Sequence, residues 1–145
     1  MNNPIVNETY SFVRGLYREY LPDGYWRFQL DLGMEMKNQL VTLGLIRRLS
    51  DEELEILSLA AMLHNTGCIE GQYDEKEVSL TIADTFLREM NYHPDRIDIV
   101  MECIIATQAG FPPSGQLQKM MREVSRGVMQ RQGLYDLPEI GDIWP

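Results

Sequence analysis

Residues 50–67 read SDEELEILSLAAMLHNTG, and this stretch decides the class of the fold. Ser50 followed three residues later by Glu53 predicts a capping box, in which the serine hydroxyl and the glutamate carboxylate satisfy backbone N–H groups at a helix start. Behind it Leu54, Leu57, Ala61 and His64 recur at steps of three and four, one inward stripe of a helix. Asn65, Thr66 and Gly67 then open a loop, NTGCIEGQY (65–73), punctuated by two glycines. The stretch carries a histidine to its last inward turn and follows it with an amide where a carboxylate would complete a metal-binding pair. That choice of residue is the functional question of the chain.

Working outward, the helical period persists on both sides. Val6, Tyr10, Val13, Tyr17 and Tyr20 predict a first helix with Pro4 in its first turn, where a missing N–H is harmless. LPDG (21–24) ends it. A second helix is expected from Tyr25 to about Arg48, with Leu30, Met34, Met36, Leu40, Val41 and Leu45 apolar and with Gly33 and Gly44 as weak points. Val78, Ile82, Phe86 and Met90 predict a fourth helix, broken at 91–95. Pro94 opens a fifth that stacks Ile97, Val100 and Ile104 and fades near Thr107. AGFPPSG (109–115) is a connector, and Gln116 to about Met129 makes a sixth helix through Leu117, Met120, Met121 and Val124. Gly133, Pro138 and Gly141 interrupt the end, so 133–145 is expected to run as an extended tail. No alternating strand pattern and no repeat is found. The expectation is an all-α class, one compact bundle of about six helices spanning 1–145.

A length of 145 residues suits one domain with one hydrophobic core. Thirteen Lys and Arg against 22 Asp and Glu leave a net charge of −9, which disfavours a nucleic-acid binder and an anionic membrane surface as partners. Cys68 and Cys103 lack paired-ligand spacing and read as free thiols of a reducing compartment. The start, MNNPIVNETYSF, has no secretory pattern, and no apolar run nears the roughly 20 residues that span a bilayer. A cytoplasmic location is expected.

Several machineries are absent from the sequence: no GxxxxGK[ST] loop, no GxGxxG turn, no HExxH and no zinc finger. Only His64 and His93 could serve a nucleophile, and His93, before Pro94, reads as an exposed helix-opening residue. His64 alone on an apolar face reads as a core histidine, with the helix C-terminus favouring its protonated form. Two neighbours raise its functional reading: the glycine loop behind it, and the acidic group Asp74, Glu75 and Glu77, whose ordinary role would be to stabilise a helix N-terminus.

LSLAAMLHNTG (57–67), an acidic stretch leading to SLTIADTFL (79–87) and a helix ending ECIIATQ (102–108) together resemble the HD superfamily of metal-dependent phosphohydrolases. YREYLPDGYWRFQLDLGME (17–35) resembles the segment that bears that family's first histidine, and the likeness covers roughly residues 10–127. The resemblance implies a helical fold in which a first histidine, an adjacent His-Asp pair and a later aspartate hold divalent metal. The metal activates water against a phosphate ester. Carried over position by position, only His64 is intact. The paired aspartate falls on Asn65 and the first histidine on Leu30. A His-Glu pair found in close members falls on Glu75-Lys76, and the last aspartate falls within MMREVSRG (120–127), on Glu123 or Ser125.

One neutral imidazole and one amide offer a divalent cation dipoles but little charge, so the leading expectation is a degenerate HD-like domain without a cofactor. It would bind a small polar or phosphorylated metabolite in a pocket of His64, Asn65, Gln29 and Thr107. Alternatively it would form a homodimer or hold a protein partner through the tail, with Tyr135 and Trp144. The competing expectation is an active phosphohydrolase with a rebuilt site of His64, Asp31, Asp74, Glu75 and Glu123, to which Glu35, one turn after Asp31, could add. Such hard oxygen donors would suit Mn²⁺, Mg²⁺ or Fe²⁺.

Overall fold

A computed structural model describes residues 3–71 and 75–131, with side chains for 3–71 and 76–128. It contains six α-helices: α1 Pro4–Tyr20, α2 Asp23–Ile46, α3 Asp51–Leu63, α4 Glu75–Glu89, α5 Pro94–Ile105 and α6 Gln116–Arg131. A 3₁₀ turn, Thr66–Glu70, lies inside the expected loop after α3. No strand occurs among the described residues, so the class is all-α, as expected. The expected tail, 133–145 with Tyr135 and Trp144, lies outside the described residues.

Local chemistry sets most boundaries. Asn3 accepts the Val6 N–H at 3.1 Å and Pro4 follows it at the first helical position. Both halves of the Ser50–Glu53 capping box form, at 3.1 and 2.9 Å. Two helices end in a left-handed residue with the backbone bond five residues back that this geometry permits. Arg48 (φ 60°) lets Leu49 N–H reach the Gly44 carbonyl at 2.9 Å, and Asn91 (φ 58°) lets Tyr92 N–H reach Leu87 at 2.9 Å. α2 begins two residues earlier than the sequence suggests, because the Pro22 carbonyl already accepts the Trp26 N–H at 2.9 Å.

α3 runs through the middle, with the other five helices packed on it. Every residue from Ile56 to Leu63 is buried, so the helix has no polar face in its second half. The stripe expected from Leu54, Leu57, Ala61 and His64 is therefore one side of a helix that is apolar all round, as a central core helix must be. α5 and α6 bury the positions expected of them: Ile97, Val100 and Ile104, and Leu117, Met120, Met121 and Val124.

The rotation of α4 differs from its periodicity. Val78 and Ile82 are only half-buried and Met90 is exposed, while Ser79, Ala83, Phe86 and Leu87 face the core. The buried Ser79 hydroxyl accepts the Gly67 N–H at 2.7 Å, and satisfying that backbone donor turns the helix. In α1 the inward residues are Thr9, Val13 and Tyr17, and Tyr20 is exposed. Leu45 of α2 is likewise exposed.

Two polar clusters tie distant segments. Glu55 of α3 accepts from Asn3 at 3.0 Å and from the Tyr92 hydroxyl at 2.6 Å, with Arg96 at 3.6 Å. Arg122 of α6 donates to the carbonyls of Ala106 (2.9 Å), Gln108 (2.8 Å) and Phe111, and so holds the connector before α6. Cys68 and Cys103 are separate and buried, and burial pushes the Cys103 thiol up to about 12, with Glu102 adding to the shift. No described helix is long and apolar enough to cross a membrane.

Candidate functional site

His64 caps the C-terminus of α3 with helical backbone angles (φ −63°, ψ −25°), which folds its ring back along the helix. Nδ1 lies 2.8 Å from the Ala61 carbonyl. A carbonyl only accepts, so Nδ1 carries the proton and Nε2 keeps the lone pair. His93, by contrast, is exposed at the start of α5 and far from any such arrangement.

The ring's charge is set by its surroundings. Burial first and the Lys76 ammonium second lower the His64 pKa from 6.5 to about 3, against the opposing Ala61 bond. The helix C-terminus was expected to favour the imidazolium; loss of hydration and a neighbouring cation outweigh it. Lys76, the second residue of α4, donates to the His64 carbonyl at 2.7 Å. The acidic stretch of the sequence thus delivers an ammonium to His64, satisfying a carbonyl that the helix end leaves open.

Three of the predicted pocket residues do come together. Asn65 Nδ2 donates to Gln29 Oε1 at 2.8 Å, joining the end of α3 to α2. Gln29, His64, Asn65 and Ser125 all border one cavity, together with Tyr17 and Gly33. Its volume is about 10 Å³, the space of a single water molecule and too little for a metabolite. Thr107 does not border it: its hydroxyl bonds the Ile104 carbonyl at 2.7 Å at the end of α5.

Of the neighbours Gln29 and Leu30 on α2, only Gln29 borders the cavity. Leu30 is a buried core residue that also borders a depression between α1 and α2 with Tyr10, Arg14 and Trp26, and Gln29 is the residue that bonds Asn65. One residue is a 100° turn on a helix, enough to exchange the two faces. At the other end Ser125, buried, borders the cavity, whereas Glu123 points to solvent with its carboxylate 3.8 Å from Arg47. Sequence reasoning left those two open.

The remaining metal candidates are dispersed. Asp31 is exposed and borders two surface depressions, and Glu35 lines the groove between α2 and α6. The side chains of Asp74 and Glu75 lie outside those described. Among the described residues no three His, Cys, Asp or Glu side chains are placed to hold a metal ion. The polar residues around the cavity are an imidazole held neutral, two amides, the hydroxyl-bearing Ser125 and Tyr17, and a nearby ammonium. A divalent cation here would exchange strong hydration for dipoles beside a positive charge, so the described donor set does not fit one. An imidazole of pKa about 3 is also poorly matched to acid–base work near pH 7.

Lys76 is the site residue that sequence reasoning missed. It follows Glu75 at the matched His-Glu position, and its charge is plain in the sequence. Its contact with a backbone carbonyl twelve residues earlier is set by how α4 docks, and no local signal reports that. No family model, curated protein or solved structure matches the chain.

Proposed function

We propose that the chain is a catalytically degenerate relative of the HD phosphohydrolases that serves as a binding or regulatory module. The observation that carries this reading is the pairing of Lys76 with the His64 carbonyl beside a charge-neutral set of Gln29, His64, Asn65 and Ser125. In the HD likeness His64 and Asn65 stand at places of metal ligands, Ser125 at one of the two candidate places of the last, and Gln29 next to Leu30, on which the first histidine falls. Each polar group is instead tied to another: His64 to Ala61, Asn65 to Gln29, Ser125 to the Arg122 carbonyl at 3.1 Å. The arrangement resembles a former metal centre converted into a structural joint between α2, α3 and α6. With only about 10 Å³ of space beside His64, recognition falls to the outer surface.

The test is elemental analysis of protein purified without a chelating tag. It is joined to thermal melts with Mn²⁺, Mg²⁺ and Fe²⁺ and to turnover assays on nucleotide and phosphoester panels. We expect less than stoichiometric metal, no metal-dependent shift and no hydrolysis. Stoichiometric bound metal with hydrolysis that chelators abolish would sink the reading in favour of a carboxylate-rich enzyme site. A reconstruction sharpens the test: Gln29→His, Asn65→Asp, Ser125→Asp and Lys76→Glu together should create metal uptake that the natural chain lacks. Each change alone should not, because a single carboxylate or imidazole cannot offset the ion's lost hydration.

A further inference from the structure

Helices α1 and α4 each carry two apolar stripes, and the core covers only one of each fully. On α1 the core takes Val13 and Tyr17, leaving Phe12, Leu16 and Tyr20 at steps of four. On α4 it takes Ala83, Phe86 and Leu87, leaving Val78 and Ile82, with Phe86 also bordering the cleft at the same spacing. The rings of Phe12 and Phe86 stack, with centroids 4.2 Å apart and planes 13° from parallel. Beyond that contact the two helices hardly meet, and each rests instead on the 3₁₀ turn Thr66–Glu70. A cleft of about 690 Å³ opens between the stripes, with Ile69 on its wall. Tyr20 at its far end is 58% exposed.

The cleft's charged border has one sign. Glu70, Glu77 and Glu89 stand around it, all exposed, with no lysine or arginine among the residues that line it. None of the three is in an ion pair among the described residues. An apolar trough with an unneutralised acidic rim calls for an occupant that is apolar on one side and cationic on its flanks. The chain's own segment 132–145 has Asp136, Glu139 and Asp142 and no basic residue, so its charge is of the wrong sign. Two copies meeting cleft to cleft would set like rims against each other.

We propose that the α1–α4 cleft is a docking groove for the apolar face of a basic amphipathic helix from another protein. Each stripe covers nine residues, a rise of about 12 Å from end to end, which matches roughly two turns of a partner presenting anchors at i, i+3 or i+4 and i+7. The rim glutamates meet the partner's lysines and arginines, speeding encounter and setting direction. The proposal goes beyond the reading above and does not depend on it, since no residue of the cleft touches the His64 cavity.

The test measures anisotropy of dye-labelled LKKLLKLLKKLLKL, and of its counterpart with every Lys replaced by Glu, on the full chain. The lysine peptide should bind and the glutamate peptide should not. Tyr20→Asp, at an exposed position that leaves the fold intact, should weaken binding about tenfold or more, the equivalent of about 1.4 kcal/mol. Reversal of the rim by Glu70→Lys, Glu77→Lys and Glu89→Lys should weaken it similarly and flatten its salt dependence. Unaltered melting curves of both variants confirm that the fold is kept. Absence of binding, equal binding of the two peptides, or lysine-peptide binding indifferent to both variants would overturn the proposal. So would a sedimentation mass that is dimeric in the natural chain and monomeric in Tyr20→Asp, which assigns the cleft to a second copy.

Discussion

At His64 one imidazole sits between a carbonyl it must donate to and an ammonium that repels a second proton. The unfolded chain protonates this ring at its ordinary value, 6.5, while the folded chain holds it neutral down to about 3. Below 6.5 the unfolded state therefore binds a proton that the folded state refuses. The contribution to stability is complete above 6.5 and is lost as pH falls toward 3, by about 1.4 kcal/mol for each unit. Urea titrations at pH 7.5, 6.0 and 5.0 should show this decline, and His64→Gln should flatten it over that range. An identical pH profile in the variant would mean that the ring is not held neutral. That His64 is a special position was legible from its place on an apolar helix; its neutrality was not, because Lys76 comes from another helix.

Among the elements, α3 and its cap rest on nearest-neighbour chemistry. Ser50→Ala removes the acceptor for the Glu53 N–H and should lower stability by about 1 kcal/mol, read as a shift in denaturation midpoint without a change in slope. Leu57, wholly buried, should lose about 2–5 kcal/mol on truncation to Ala, because the surrounding helices cannot collapse into the space. Boundaries such as these were readable because caps, prolines and left-handed turns act over four or five residues. The rotation of α4 was not. Val78 and Ile82 of its most regular apolar stripe line an open cleft, which Phe86 also borders from the core, and a serine faces the core and satisfies a backbone N–H from the 3₁₀ turn.

For the molecule as a whole, two side chains join parts that the sequence keeps far apart. Glu55 gathers the start of α1, the end of α4 and the start of α5, with partners 52 and 37 residues away. Glu55→Ala should cost about 1–3 kcal/mol by leaving the Asn3 amide and the Tyr92 hydroxyl without their acceptor. The Tyr92 hydroxyl, held above its usual range by burial and then by Glu55, should titrate nearer 10 in that variant, a change visible by ultraviolet absorbance. Arg122→Ala should release the connector between α5 and α6, seen as faster amide exchange and proteolysis at 106–115 while the helices stay protected.

The amino-acid sequence by itself determined the helical class, the six segments and their ends to within about two residues, since periodicity and capping are properties of neighbouring residues. It also placed an amide, Asn65, directly after the histidine that ends α3. Only the tertiary structure decided which of Gln29 and Leu30 faces Asn65, that Ser125 and not Glu123 borders the cavity, and that a lysine closes the end of α3. Those outcomes turn on 100° of helix rotation and on contacts between helices. A rotation of that size is set by which buried polar groups find partners once the helices dock, and no local pattern carries that information.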